Sequence, residues 1–332
     1  MPADLAPQGD GATPTVPLLG GATPRRSRFR YFWLIGIVIY LAAVWYVGWD
    51  KFREAFSLLR PVSLLWVAAV LLAAIWLRVL KWRLALGLRP ITQLYFLSKA
   101  GGEITPSRVG ELSPLLLRKF RSPRVAAWIV LDRMIEIAAT LAYGAFGAIT
   151  LQSDRSTLLQ MVGVASVLLV VLPTALITRQ GFFLWLAGRT REGRALNRIA
   201  SFLAVTSGEF RQFRPLLPVA VLLTLLTTGL DIFSGVLVYG AFGQHLSFAL
   251  LAAAQCIHGV IAAIPFLPGL TGVPYAAVAA FLNQVAGVPL GVIAAVVTVY
   301  VLLGSTIFWG SLGVSALRWG TDTREEQAGH TL

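Results

Sequence analysis

Between Lys99 and Glu136 the chain reads KAGGEITPSRVGELSPLLLRKFRSPRVAAWIVLDRMIE, and it gathers Glu103, Glu111, Asp132 and Glu136, four of its fifteen acidic residues, around Arg108, Arg118 and Arg133. Asp132 and Glu136 are spaced i,i+4 and Arg133 and Glu136 i,i+3, so on a helix they share a face. Counted from Val125 at about 1.5 Å per residue, Asp132 and Arg133 lie roughly 10–12 Å into that helix and Glu136 about 16 Å. Arginines at such a place can receive a lipid phosphate, while the carboxylates balance them or meet a cation. An internal salt-bridge network that fixes the fold is the other reading of the same residues, and it is compatible with the first. Asp231, near the middle of another apolar run, also needs a partner or a proton.

The elements that must carry these groups are membrane helices. With 57% hydrophobic residues, 13% charged residues and a mean hydropathy of +0.74, the composition excludes an ordinary soluble domain and a disordered chain. Apolar runs of about 20 residues recur, the length that crosses roughly 30 Å of hydrocarbon. The net charge of +13 sits in short clusters beside those runs. The positive-inside rule and attraction to anionic lipid at the cytoplasmic face explain these clusters; nucleic acid is not an expected partner. A single cysteine, Cys256, and three scattered histidines supply neither a disulfide nor a metal site, so no metal and no cofactor is expected.

In chain order, residues 1–30 read as a flexible cytoplasmic tail ending in Arg25, Arg26, Arg28 and Arg30. Residues 31–318 read as a single transmembrane domain and 319–332 as a short cytoplasmic tail. Spans are expected at 31–49, 62–80, 125–149, 157–178, 218–241 and 290–317. Arg78, Lys81, Arg83 and Arg89 form a basic cluster at the end of the second span, with Arg78 expected to snorkel to the surface. Two pieces are too short to cross and carry Pro and Gly at their tips. One is 91–117, around Pro106 and Gly110; the other is 248–285, around Pro268, Gly269 and Gly272. Both read as re-entrant helical hairpins. His258 and Cys256, near the second tip, read as an interior histidine and a buried thiol. The Arg-rich segment 179–214 reads as cytoplasmic helices lying in the interface. The fold class is therefore an all-α polytopic membrane protein of about six full spans and two re-entrant hairpins.

Span 62–80, hairpin 91–117 and span 125–149 are echoed in opposite orientation by span 218–241, hairpin 248–285 and span 290–317. The layout suggests an inverted repeat of the kind transporters use. YGAFG, at 143–147 and again at 239–243, complicates this: each copy lies on an outward-going span, which agrees with both ends being external but also fits a parallel duplication or chance.

The run PSRVGELSPLLLRKF followed by LDRMIE resembles the flippase-like membrane domain of bacterial lysylphosphatidylglycerol synthases and its stand-alone relatives. The matching positions are Pro106, Gly110, Glu111, Arg118, Asp132 and Arg133, and PFLPGLTGV matches a later Pro- and Gly-rich turn. The resemblance covers roughly residues 30–318. It implies lipid translocation between leaflets, with the polar hairpins receiving a head group. Family members often carry an acidic residue just after the second turn, where this chain has Pro274 and Tyr275. After Arg318 only fourteen residues remain, so aminoacyl-lipid synthesis by a soluble domain is not expected of this chain.

Taken together, the residues favour a lipid transporter for a phospholipid or polyprenyl-linked lipid in the plasma membrane, without an enzymatic step. Two other readings stay open: an integral membrane transferase acting on a lipid phosphate, and a non-transporting scaffold for a lipid-modifying enzyme. The topology makes the first prediction. In a Cys256→Ser background, an impermeant thiol reagent outside the cell should label Ser153→Cys and spare Arg191→Cys; the reverse pattern would overturn the layout.

Overall fold

The computed structural model describes residues 38, 41–42, 45–88, 91–104, 109–151, 208–262 and 272–329. These form helices α1 (Trp49–Ser57), α2 (Ser63–Leu86), α3 (Ile91–Ile104), α4 (Pro123–Thr150), α5 (Leu217–Ala241), α6 (Phe248–Ala262), α7 (Gly272–Ala286) and α8 (Leu290–Gly329). A short 3-10 stretch, Val109–Leu116, separates α3 from α4. Among the described residues there is no strand. Three helices are long and apolar enough to cross a membrane: Ser63–Leu86, Gly208–Ala241 and Leu290–Ser315. The 28-residue α4 has the length as well, but carries the acidic and basic residues of the site. The expected span 157–178, and segment 179–214 up to residue 207, lie outside the described residues, as do hairpin-tip residues Pro106, Arg108, Pro268 and Gly269.

Local signals set the boundaries. The α2 helix ends at Gly87, whose φ of 64° is left-handed backbone that glycine adopts without Cβ strain. It thus runs to Leu86 and not to Leu80, which carries Lys81 into the protein. Ser122 caps α4, its Oγ accepting from the Val125 N–H at 3.2 Å, and Pro123 occupies the first turn.

The stretch 91–117 folds as the expected hairpin, with its return arm in 3-10 form. Ser98 Oγ donates to the Glu111 carbonyl at 2.7 Å, Ser113 Oγ to the Leu97 carbonyl at 3.4 Å, and Lys119 Nζ to Gln93 Oε1 at 3.3 Å. Partners that rise along one arm as they fall along the other define antiparallel packing. The arms touch closely at Gly101 and Gly102: a Cβ on Gly102 would lie 2.5 Å from Glu111 Cγ. The second hairpin pairs α6 with α7, and the His258 and Tyr275 rings lie 4.9 Å apart.

Packing between the two halves is reciprocal. Helix α2 lies against α5, antiparallel, since Arg60 N–H donates to the Ala241 carbonyl at one end and Lys81 meets Thr224 towards the other. Helix α4 packs on α6, and its counterpart α8 packs on α3, the counterpart of α6; α4 with α5 is matched by α8 with α2. This is the arrangement an inverted repeat requires. YGAFG is not its signature. Tyr143 sits on α4 and Tyr239 on α5, which are not counterparts, and Gly144 faces Cys256 whereas Gly240 faces open space.

The two hairpins approach α4 from opposite ends. Lys99 of the first reaches Glu136, and Gly259 of the second lies against Thr140. Glu136 is the fourteenth residue of the 28-residue α4, about 20 Å along a helix about 42 Å long. Both hairpins therefore meet the helix at its middle. The α4–α6 contact is made by Gly144, Gly147, Ala253 and Cys256, small residues that let backbones approach. A Cβ on Gly147 would lie 2.8 Å from the Ala253 backbone nitrogen, which cannot swing away. Gly147→Ala should therefore lower the midpoint of thermal unfolding in detergent, by overpacking worth about 1–3 kcal/mol. Gly240→Ala, in open space on the 25-residue α5, should leave it unchanged or raise it.

Candidate functional site

A charged group inside an apolar membrane bundle costs several kcal/mol unless it is paired, and the described charges between these helices are paired. Lys81 and Asp132 are each about 1% exposed and lie 2.5 Å apart, joining α2 to α4. Lys81 Nζ also donates to Thr224 Oγ1 on α5 at 2.9 Å, and Thr224 passes its own proton to the Ala220 carbonyl at 2.7 Å. Trp82 Nε1 donates to Asp132 Oδ2 at 2.8 Å. Asp132 is thus held on two sides by neighbours on α2.

Lys99 of the first hairpin extends the chain of charges. Its Nζ lies 2.9 and 3.1 Å from the two Glu136 oxygens, 3.6 Å from Asp132 and 3.7 Å from Glu111. Arg133 Nη1 donates to Glu136 Oε2 at 3.2 Å. Arg78 on α2 pairs with Asp231 on α5. Four cations (Arg78, Lys81, Lys99, Arg133) thus face four anions (Glu111, Asp132, Glu136, Asp231), and the cluster is formally neutral.

Exposure is graded across it. The Lys81–Asp132 pair is sealed, whereas the Arg133 side chain is 25% exposed and Glu136 16%. Arg78 and Asp231 are partly accessible as well. One edge of the network therefore opens while its base is closed. At that edge Glu136 holds two cations, Lys99 and Arg133.

Several expectations need correcting. Arg78 does not snorkel to the surface; it turns inward to Asp231, because α2 continues another two turns beyond it. Lys81 belongs to the interior and not to a basic flank. Arg133 does pair with Glu136, as the i,i+3 spacing on one helix allows, while Glu111 of the hairpin lies beside Lys99. Cys256 is a buried thiol, as expected, set against Gly144, and Pro274 is buried. Gly110 and Gly272 fall where the hairpin arms begin. The side chains of Glu103 and Arg118 lie outside the described residues.

Sequence reasoning passed over Lys81, Lys99, Trp82 and Thr224. A signal was present for the lysines. Lys99 follows the apolar stretch Ile91–Leu97 and precedes Ala100, and Lys81 is followed by Leu84, Ala85 and Leu86 before the helix stops at Gly87. A lysine inside an apolar helix, and not past its end, points to a buried carboxylate.

The family model for the lysylphosphatidylglycerol synthase TM region matches residues 33–317. The chain belongs to that family of membrane proteins. No curated protein sequence and no solved structure matches it.

The sealed pair makes a stability prediction. Removing one partner of a buried ion pair costs about 3–5 kcal/mol, whereas removing both leaves no bare charge. Lys81→Met and Asp132→Asn should each lower thermal stability strongly in detergent, and the double variant Lys81→Met/Asp132→Asn should recover part of the loss. An additive double variant would mean that the two residues do not act as a pair.

Proposed function

We propose that this protein moves a phospholipid or polyprenyl-linked lipid between leaflets, the head group passing the ion cluster while the tails stay in the bilayer. The observation that carries this reading is the half-open neutral cluster at the middle of α4, the level that an arm of each hairpin reaches. Broken helices aimed at the midplane from both ends are a transporter device. A lipid head group there finds charges already desolvated and held in place.

Arg133 is the group suited to receive the phosphate. If its guanidinium turns from Glu136 to the ligand, Glu136 keeps Lys99, so no carboxylate is left bare at that depth. The planar fork of Arg can bond two phosphate oxygens at once. Asp231, Glu111 and Asp132 keep their own cations throughout and act as positioning residues. The pattern of Arg-rich segments supports cytoplasmic N- and C-termini in the plasma membrane, and a lipid-modifying enzyme is a natural partner to supply or consume the lipid. The cycle needs no covalent step, and any uphill movement would draw on an ion gradient or a partner.

Reconstituted in liposomes, the protein should exchange a fluorescent or native lipid across the bilayer with its mass unchanged. Arg133→Gln should remain folded and lose most of that exchange, at least about tenfold given the worth of a hydrogen bond to a charged group; Arg133→Lys should keep part of it. A folded Arg133→Gln transporting at the parent rate would remove this residue from the mechanism. A covalently altered lipid would instead favour a transferase.

A further inference from the structure

Along α2 two clefts lie at opposite ends. One, of about 360 Å3, is lined by Trp76, Leu80, Arg83, Leu88, Ile91 and Thr92, where α2 ends and α3 begins. The other, of about 470 Å3, includes Ser63, Trp66, Gly240, Gln244, His245 and Ser247, where α5 ends and α6 begins. Helices α5 and α6 are the counterparts of α2 and α3, so each half of the protein forms the same cleft, one at each end of the bundle. From Ser63 to Arg83 is twenty residues of continuous helix, about 30 Å, the thickness of the hydrocarbon layer. Each cleft therefore sits at head-group depth, in opposite leaflets.

Their chemistry differs. The lining of the second cleft holds no Lys, Arg, Asp or Glu. The first contains one cation and no acid, and among the described residues Arg83 makes no ion pair. Beside it Trp76, Leu80 and Leu88 present exposed apolar surface. A cation at the interface above an apolar wall matches a phosphate above an acyl chain. We propose that the α2–α3 cleft is a binding site for an anionic glycerophospholipid. The phosphate sits on Arg83 within reach of the Thr92 hydroxyl, and one chain lies along Leu80 and Trp76. The site is separate from the ion cluster, gives the two ends of the protein unequal lipid preference, and does not depend on transport.

The test is binding to the purified full chain in neutral detergent. Native mass spectrometry with added palmitoyl-oleoyl phosphatidylglycerol or phosphatidylcholine should show preferential retention of the phosphatidylglycerol. Arg83→Gln should reduce that retention about fivefold, the factor corresponding to about 1 kcal/mol for one basic residue at an anionic interface. It should leave phosphatidylcholine unchanged, as Arg60→Gln should leave both. Independently of that variant, phosphatidylglycerol with brominated chains should quench tryptophan fluorescence, and Trp76→Phe should remove a share of the quenching. Unchanged retention in Arg83→Gln, equal loss of both lipids, displacement by glycerol phosphate alone, or quenching insensitive to Trp76→Phe would each overturn the site.

Discussion

The structure depends on one constraint: charges taken to the middle of an apolar bundle must find opposite charges on other elements. Lys81 on α2, Lys99 on the hairpin and Asp132 and Glu136 on α4 satisfy one another, so three elements are fixed in register by the same set of bonds. Hydrophobic association contributes little between helices already surrounded by lipid tails. The ion cluster and the close α4–α6 contact therefore decide how these helices sit. A shift of one turn along α2, about 5.4 Å, would remove Lys81 from both Asp132 and Thr224.

The hairpins follow from the same accounting of polar groups. A helix that stops within the bilayer leaves backbone N–H and C=O groups without partners, and these are tolerated only where protein surrounds them. In the first hairpin Ser98 and Ser113 bond carbonyls of the opposite arm, and Gly101 and Gly102 bring the arms close enough for them to do so. Small residues on α4 perform the corresponding service for the second hairpin.

Similar architecture in the two halves carries unequal chemistry. Arg78, Lys81, Lys99, Glu111, Asp132, Arg133 and Glu136 all come from the first half; among the described residues the second contributes Asp231 and Thr224 to the cluster. The described arms of the second hairpin contain no Lys, Arg, Asp or Glu, and where the family often places an acid this chain has Pro274, buried, and Tyr275, against His258. The same inequality appears at the ends of the bundle, where Arg83 has no basic counterpart in the cleft beside His245.

The all-helical membrane fold, the two hairpins and the place where charge gathers were legible in the linear chain. These follow from hydropathy and from Pro and Gly positions, which act locally and can be read one segment at a time. The sequence also placed Arg133 and Glu136 on one face, because i,i+3 spacing is a property of a single helix. That Arg78 turns to Asp231, 153 positions away, that Lys81 is interior and that Glu111 lies beside Lys99 emerged from how the helices pack. A basic residue near the end of an apolar run has the same local signature whether it reaches outward to phosphate or inward to a carboxylate. The choice depends on which helix lies alongside, and that is set by packing between segments that the linear order keeps apart.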